Sequence, residues 1–222
     1  MERGKKLSTM NKWSYGTAWE HFPIEEGQIW GTENPVNLVT VHDILNTLPV
    51  FMFNADLLFI DPPWNGGNLN SFYTKAFISG YQEYGIFVDA LFGHIADINP
   101  RTCYLEIGKE NVDLFCDLLP FKFKQRWQVT YYRKYPCWII RGSKMRPIEY
   151  DFTGIDEAEC IKTIAEIEQY GVIGDLCMGR GSVGLAANKA KKQFVGTELN
   201  KRRLACLLDK LEHVGADIIR YV

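Results

Sequence analysis

The chain has 222 residues, 46% of them hydrophobic, and a formal net charge of −2. That length buries one sizeable core without demanding a second, and the near-neutral balance excludes a global electrostatic attraction to nucleic acid. Six cysteines without a CxxC pair argue against a zinc or disulfide framework, and no run nears the ~20 apolar residues of a membrane span, so free thiols, no metal, no membrane and a cytoplasmic location are expected.

Residues 1–35 read as an aromatic-rich arm carrying Trp13, Tyr15, Trp19, Phe22 and Trp30 among turn formers, packed on the domain or on a partner. Residues 36–222 read as one domain, with a first half over 36–148 and a second over 156–213. In the first half, 36–42 (VNLVTVH) predicts a strand followed at once by Asp43. A short helical connection leads to a second strand ending at Asp61. A mixed stretch over 72–94 contains a helix, 102–107 (TCYLEI) predicts a strand, and 109–119 carries apolar residues at helical spacing. Two extended segments, 126–133 and 136–141, predict an antiparallel hairpin.

In the second half, 156–170 predicts a helix, followed by a strand over 172–176, a glycine turn, a helix over 183–190, a strand over 193–197 and a helix over 202–213. Residues 216–222 suit one more strand. Strands alternating with helices give a Rossmann-like, doubly wound α/β fold, expected as a mostly parallel seven-stranded sheet with the hairpin at one edge.

Two stretches carry chemistry. In DLLFIDPPWNGG, Asp61 ends a strand short and apolar enough to be buried on both faces, and the carboxyl ends of such strands hold ligands in open α/β sheets. Pro62 and Pro63 lack N–H groups, so the backbone after Asp61 offers carbonyl acceptors only. Trp64 adds a ring for stacking. The set suits a flat aromatic target bearing an exocyclic amine. Asn65-Gly66-Gly67-Asn68 reads equally as a loop hinge or as plain turn chemistry.

The second stretch, GVIGDLCMGRGSVGLAANKAKKQFVGTELN, fits GxGxxG after a strand and opening a helix at Gly179, Gly181 and Gly184. Glu198 lies 198 − 175 = 23 residues after Asp175, where an acid accepts both hydroxyls of a ribose. Asp175 at the strand end would repel a pyrophosphate and suits a cationic ligand with an ammonium group. That electrostatic argument favours S-adenosylmethionine over a nicotinamide.

With both stretches in view, the chain resembles the nucleic-acid amino-methyltransferases that modify adenine N6 or cytosine N4. DPPW resembles their catalytic tetrapeptide, DLCMGRG and GTELN resemble their cofactor motifs, and the catalytic motif comes first, as in a permuted class of that family. The resemblance implies that Asp61 and the Pro62 carbonyl hold the target amine, with Pro63 in the same catalytic motif and Trp64 stacking on an extruded base. It further implies that Asp175, Cys177, Gly179 and Gly181 line the methionine end of the cofactor. Glu198 would take the ribose, with Asn200 beside it, and Asp43 the cofactor's adenine. Cys177 and Met178 stand where the family carries Phe-x. An acid before Pro-Pro-aromatic favours adenine over cytosine, and DNA over RNA is expected as the substrate.

No acid occurs from 118 to 148, a window with Lys122, Lys124, Arg126, Arg133, Lys134, Arg141 and Lys144 interleaved with aromatics, which is the composition of a backbone-tracking nucleic-acid surface. The acidic stretch 149–168 is expected to face solvent or a basic partner. The short gap between hairpin and second half leaves no room for a recognition domain, so the target sequence is expected to be short, loosely read, or read by another subunit, either a second copy in a homodimer or a separate recognition subunit. Pro136-Cys137 also matches the nucleophile dipeptide of cytosine carbon-5 enzymes, but no activating partner accompanies it. The competing class is a non-catalytic, cofactor-binding subunit.

Overall fold

The structure is a computed structural model that describes residues 15–222; Trp13 and the rest of the arm before Tyr15 lie outside the described residues. In chain order the strands are β1 (Ile29–Glu33), β2 (Val36–Val41), β3 (Leu57–Ile60), β4 (Thr102–Ile107), β5 (Phe123–Tyr131), β6 (Tyr135–Ser143), β7 (Val172–Asp175), β8 (Gln193–Glu198) and β9 (Ile219–Arg220). The α-helices are α1 (Ala18–His21), α2 (Gly66–Lys75), α3 (Tyr84–Ile98), α4 (Val112–Leu118), α5 (Glu157–Ile167), α6 (Ser182–Lys189) and α7 (Lys201–His213).

Every residue of β3 and of β4 is buried, as strands covered on both faces must be. They lie inside one sheet of order β5-β6-β4-β3-β7-β8-β2-β1-β9. The central five, β4 to β2, pair in parallel, and antiparallel pairs extend the sheet at both ends. One face packs on α5, α6 and α7 and the other on α2, α3 and α4, giving three layers.

The sheet is wider than the expected seven strands, and antiparallel at both edges rather than one. Beyond those seven stand β1, inside the stretch read as irregular, and β9, which pairs with it and falls within the further strand expected over 216–222. Gly31 explains why β1 does not look like a strand. Its position lies so close to β2 that a Cβ would sit 1.6 Å from the Asn37 carbonyl oxygen, so a residue of low strand propensity is the one that fits. The Asn65–Asn68 tetrapeptide, one reading of which was a hinge, starts a helix instead. Asn65 is the N-cap of α2, its side chain accepting from the Asn68 N–H at 2.9 Å.

The chain winds outward in opposite directions from the middle of the sheet, β3 to β4 on one side and β7 to β8 on the other. This places the switch point between β3 and β7, where a crevice opens at the carboxyl ends of the strands. Asp61 and Asp175 flank it.

Candidate active site

A cavity of about 920 Å³ fills that crevice. Seven acidic side chains line it, Asp43, Asp61, Glu106, Asp156, Glu157, Asp175 and Glu198, against the four basic ones Lys75, Arg180, Arg203 and Lys210. Such an excess favours a cationic occupant.

The first half contributes the DPPW segment. The Trp64 indole Nε1–H donates to Asp61 Oδ1 at 3.1 Å, and its ring lies 5.4 Å from Tyr131 in an edge-on arrangement. Gly108 admits the ring closely, since a Cβ there would come within 2.8 Å of it. The Pro63 carbonyl accepts from the Tyr84 hydroxyl at 3.0 Å, and the Trp64 carbonyl from the Asn111 amide at 2.7 Å. The segment is therefore held from three elements. Burial pushes the Asp61 carboxyl up to about 7, with Glu157 adding to the rise, while the Trp64 N–H and the charge of Arg203 oppose it.

The second half contributes the glycine turn. Glu198, at the end of β8, accepts the Gly179 N–H at 2.8 Å on one oxygen and the Asn200 N–H at 2.9 Å on the other. One carboxylate thus shapes both loops around itself and keeps its remaining lone pairs for a ligand. Burial raises the Glu198 carboxyl, and the neighbouring Arg203 counters that. Asp175 accepts the Cys177 N–H at 2.9 Å and is raised well above the carboxylate range by burial, with the Asp61 and Glu198 charges adding to it. Asp43, just past β2, accepts from the Tyr73 hydroxyl at 2.6 Å and the Leu45 N–H at 3.0 Å.

The fold thus brings Asp43, Asp61, Pro62, Pro63, Trp64, Asp175, Cys177, Gly179 and Glu198 to one cavity. Two of the expected cofactor residues do other work. Asn200 caps α7, accepting from the Arg202 N–H, and its amide binds the Lys75 carbonyl at 2.8 Å; it does not line the cavity. Gly181 has φ +73°, and a Cβ there would strike Leu207 at 2.6 Å, so its lack of a side chain serves the packing of α7 against the turn.

The basic window divides in two. Lys122, Lys124, Arg141 and Lys144 lie at the opposite end of the hairpin, beside the amino end of β4. Lys124 binds the last carbonyls of α4, Lys144 binds Asn99, and Arg126 pairs with Asp113. Arg141 is 1% exposed and cannot reach a phosphate. The hairpin tip reaches the cavity through Tyr131 and Tyr132, and Arg133 and Lys134 follow them directly in the chain.

That tip is a tight turn with both Tyr132 and Arg133 at positive φ, 51° and 55°, an arrangement that usually recruits Asn-Gly. Carboxylates from the start of α5 hold it there. Glu157 accepts the Tyr132 N–H at 2.7 Å and Asp156 accepts the Arg133 N–H. The acidic stretch therefore does not merely face solvent, because its helix start lines the cavity and clamps the hairpin.

Cys137 is fully buried, its thiol directed at Glu106 at 3.7 Å and pushed up by burial and by that carboxyl. A thiol so held stays protonated, which agrees with its poor standing as a nucleophile. Glu106, Arg203 and Tyr131 line the site without a motif to announce them. Arg203 places its guanidinium 4.5 Å from the Phe72 ring, in the first turn of α7. The one sequence signal for Glu106 is an acid near the end of an otherwise apolar parallel strand.

No protein-family model matches this sequence, and no curated protein does. Solved structures do match in fold. The S-adenosylmethionine complex of M1.HpyAVI superposes with a TM-score of 0.53 at 14% identity, over 79% of this chain and 100% of the other. TTHA0409 from Thermus thermophilus, described as a candidate DNA modification methylase and also complexed with S-adenosyl-L-methionine, gives 0.55 at 13% identity over 80% and 95%. PvuII DNA methyltransferase, cytosine-N4-specific, gives 0.53 at 12% identity over 84% and 90%. The likeness is one of fold.

Proposed function

We propose that this chain is an S-adenosylmethionine-dependent DNA methyltransferase that methylates the exocyclic amine of an extruded adenine. The observation that carries the reading is Asp61 followed by Pro62 at the mouth of an acid-lined crevice whose other wall is the Glu198-organised glycine turn. Solved proteins of this fold include M1.HpyAVI and a candidate DNA modification methylase, each complexed with S-adenosylmethionine, and the PvuII DNA methyltransferase, which supports the cofactor and the nucleic-acid substrate.

The residues fit that cofactor. Asp175 and its neighbouring carboxylates suit an ammonium and a sulfonium, and Glu198 retains acceptor capacity for ribose hydroxyls. When bound, the cofactor supplies an electrophilic methyl group. The chain's part is to prepare the amine. An exocyclic nitrogen is a poor nucleophile because its lone pair is delocalised into the ring. Hydrogen bonds from its N–H groups to the Asp61 carboxylate and the Pro62 carbonyl would favour a pyramidal nitrogen. The same acceptors would stabilise positive charge as it develops there, a contribution made chiefly in the transition state. Trp64, fixed through its own N–H, would offer a face to the base, repaying part of the few kcal/mol that extrusion from a duplex costs.

Mass spectrometry of nucleosides tests the reading on duplex DNA, single-stranded DNA and RNA incubated with the protein and S-adenosylmethionine. N6-methyldeoxyadenosine in the DNA pools is expected. N4-methyldeoxycytidine or N6-methyladenosine instead would correct the base or the polymer. No methylation with cofactor bound would favour a non-catalytic subunit.

Two further outcomes are expected. Glu198→Gln sets an amide N–H against the Gly179 or Asn200 N–H, and calorimetry should find S-adenosylmethionine affinity lowered by about 10- to 100-fold. Unchanged affinity would remove Glu198 from the cofactor site. Arg133→Glu with Lys134→Glu should weaken DNA binding and reduce the slope of log affinity on log salt by about two, whereas Lys122→Gln with Lys144→Gln should leave both unchanged. Fluorescence anisotropy over a salt series distinguishes the two ends of the hairpin.

A further inference from the structure

Glu106 has no role in the steps above, yet the fold sets it beside Asp61. β3 and β4 pair in parallel with Phe59 opposite Tyr104 and Ile60 opposite Leu105, so Asp61 and Glu106 come next at the same level. Side chains alternate across a strand, which puts both carboxyls on the face shared by Phe59 and Tyr104, on chains about 4.8 Å apart. Both line the cavity.

Glu106 is 1% exposed, and its hydrogen-bond donor is a thiol, Cys137 Sγ at 3.7 Å. The titratable groups around it are Asp61 just past β3, Tyr131 on β5, Cys137 on β6, Asp156 at the N-cap of α5, and Glu157 and Cys160 on α5. None of these is a cation. Burial, then the Asp61 and Glu157 carboxylates, hold Glu106 well above the usual carboxylate range. Asp61, by contrast, has an indole N–H donor and the charge of Arg203 to favour its ionised form. When two adjacent carboxyls hold one proton between them, it rests on the one with less support for charge. The site therefore offers two unlike groups side by side, a carboxylate acceptor at Asp61 and a hydroxyl donor at Glu106.

We propose that Glu106 donates its carboxyl hydroxyl to the ring nitrogen next to the amine-bearing carbon of the target base, and so selects it. This rests on the amino-methyltransferase reading and adds a determinant of base choice to it. Adenine and cytosine carry an unprotonated ring nitrogen beside an exocyclic amine. At the equivalent edge guanine and thymine present a ring N–H beside a carbonyl, which sets donor against donor at Glu106 and carbonyl against carboxylate at Asp61. A hydrogen bond to the ring nitrogen draws density from the amine, so the group serves recognition and leaves the rate of transfer to Asp61.

The test measures methyl transfer from radiolabelled S-adenosylmethionine to duplex DNA between pH 6 and 9.5, for the wild type, Glu106→Gln and Glu106→Ala, with cofactor binding followed by calorimetry. Gln keeps a donor in place of the hydroxyl and cannot ionise. The expected result is a KM for DNA raised about 10- to 100-fold in Glu106→Ala with kcat little changed, and near-normal KM in Glu106→Gln. The wild type should lose kcat/KM on the alkaline side as Glu106 ionises, and Glu106→Gln should not. Equal impairment of both variants, or impairment of neither, would overturn the proposal in an active wild type. A Glu106→Ala protein that no longer binds cofactor has lost its site, and Glu106→Gln alone then decides, by its KM and alkaline limb. A wild type that binds cofactor and methylates no nucleic acid overturns the function reading, and this inference with it.

Discussion

Asp61→Asn is expected to cut the proposed methyl transfer by about 10²- to 10³-fold, the order lost when one preorganised charge-stabilising group is removed from an active site. The substitution preserves shape and takes away the charge that would oppose the positive nitrogen. Its amide can also turn an N–H toward the Trp64 indole N–H, which now donates to Asp61, and so loosen the ring. Cofactor binding should survive, because Asp175 and Glu198 are untouched.

The same variant should be more stable than the wild type at alkaline pH. Asp61 stands at about 7 in the folded chain against an ordinary 3.8. The folded state therefore holds this proton more tightly than the unfolded state does, and the stabilisation is complete below about 3.8 and lost as pH rises to about 7. The full interval is worth at most about 4 kcal/mol, which the charged aspartate costs at pH 8 and asparagine does not. Thermal unfolding should show Asp61→Asn ahead of the wild type at pH 8, with the advantage gone near pH 4. Wild-type activity would remove the catalytic role of the carboxylate, and a lower Tm at pH 8 would show that its charge costs the fold nothing.

Arg141→Ala is expected to destabilise the fold by about 3–5 kcal/mol, the usual cost of leaving a buried partner unpaired. The Arg141 guanidinium sits beneath the hairpin, its Nε donating to Glu168 at 2.8 Å and to the Tyr104 hydroxyl at 3.1 Å. The Tyr104 hydroxyl donates to the same Glu168 oxygen at 2.7 Å, and a second Arg141 nitrogen reaches the Gln125 side chain and the Arg146 carbonyl. Truncation would strand Glu168, 12% exposed as a side chain, with one hydroxyl for company, and would open a cavity as well. Lysine should rescue only in part, since one ammonium cannot reproduce the planar fork. Urea denaturation measures the loss. Retained DNA affinity below the unfolding transition would mark Arg141 as a support of the hairpin, and an unchanged urea midpoint would refute the buried network.

These two residues differ in how far the sequence tells their place in the fold. Asp61 was legible because a short apolar run, an acid and two prolines lie consecutively and describe a strand end with its chemistry attached. Glu198 was legible from its distance to Asp175 across a strand-turn-helix unit. Arg141 misled because charge in a basic window reads as surface. Its partner lies 27 positions away, just past the end of α5, and that pairing exists only after the hairpin folds against the helix. The continuous apolar run through Ile139 and Ile140 was the local sign that it pointed inward. Glu106 was silent for a similar reason, since its meaning comes from the register between β3 and β4. The clamp on the hairpin tip was also invisible, because Tyr132 and Arg133 adopt a glycine-like turn that Asp156 and Glu157 impose from elsewhere.

The pairing of β1 with β9 has a consequence for the order of the two halves. Tyr221 N–H donates to the Ile29 carbonyl at 2.8 Å, so the last strand runs alongside the first one described. The link between the halves, around Glu149 to Asp151, is exposed and lies away from the switch point. Opening the chain at Glu149–Asp151 would keep every strand neighbour of Asp61 and Asp175, with β1 and β9 holding the two halves together at that edge. To the ligand, which half is made first is immaterial, and descent by cutting and rejoining would leave the crevice unchanged.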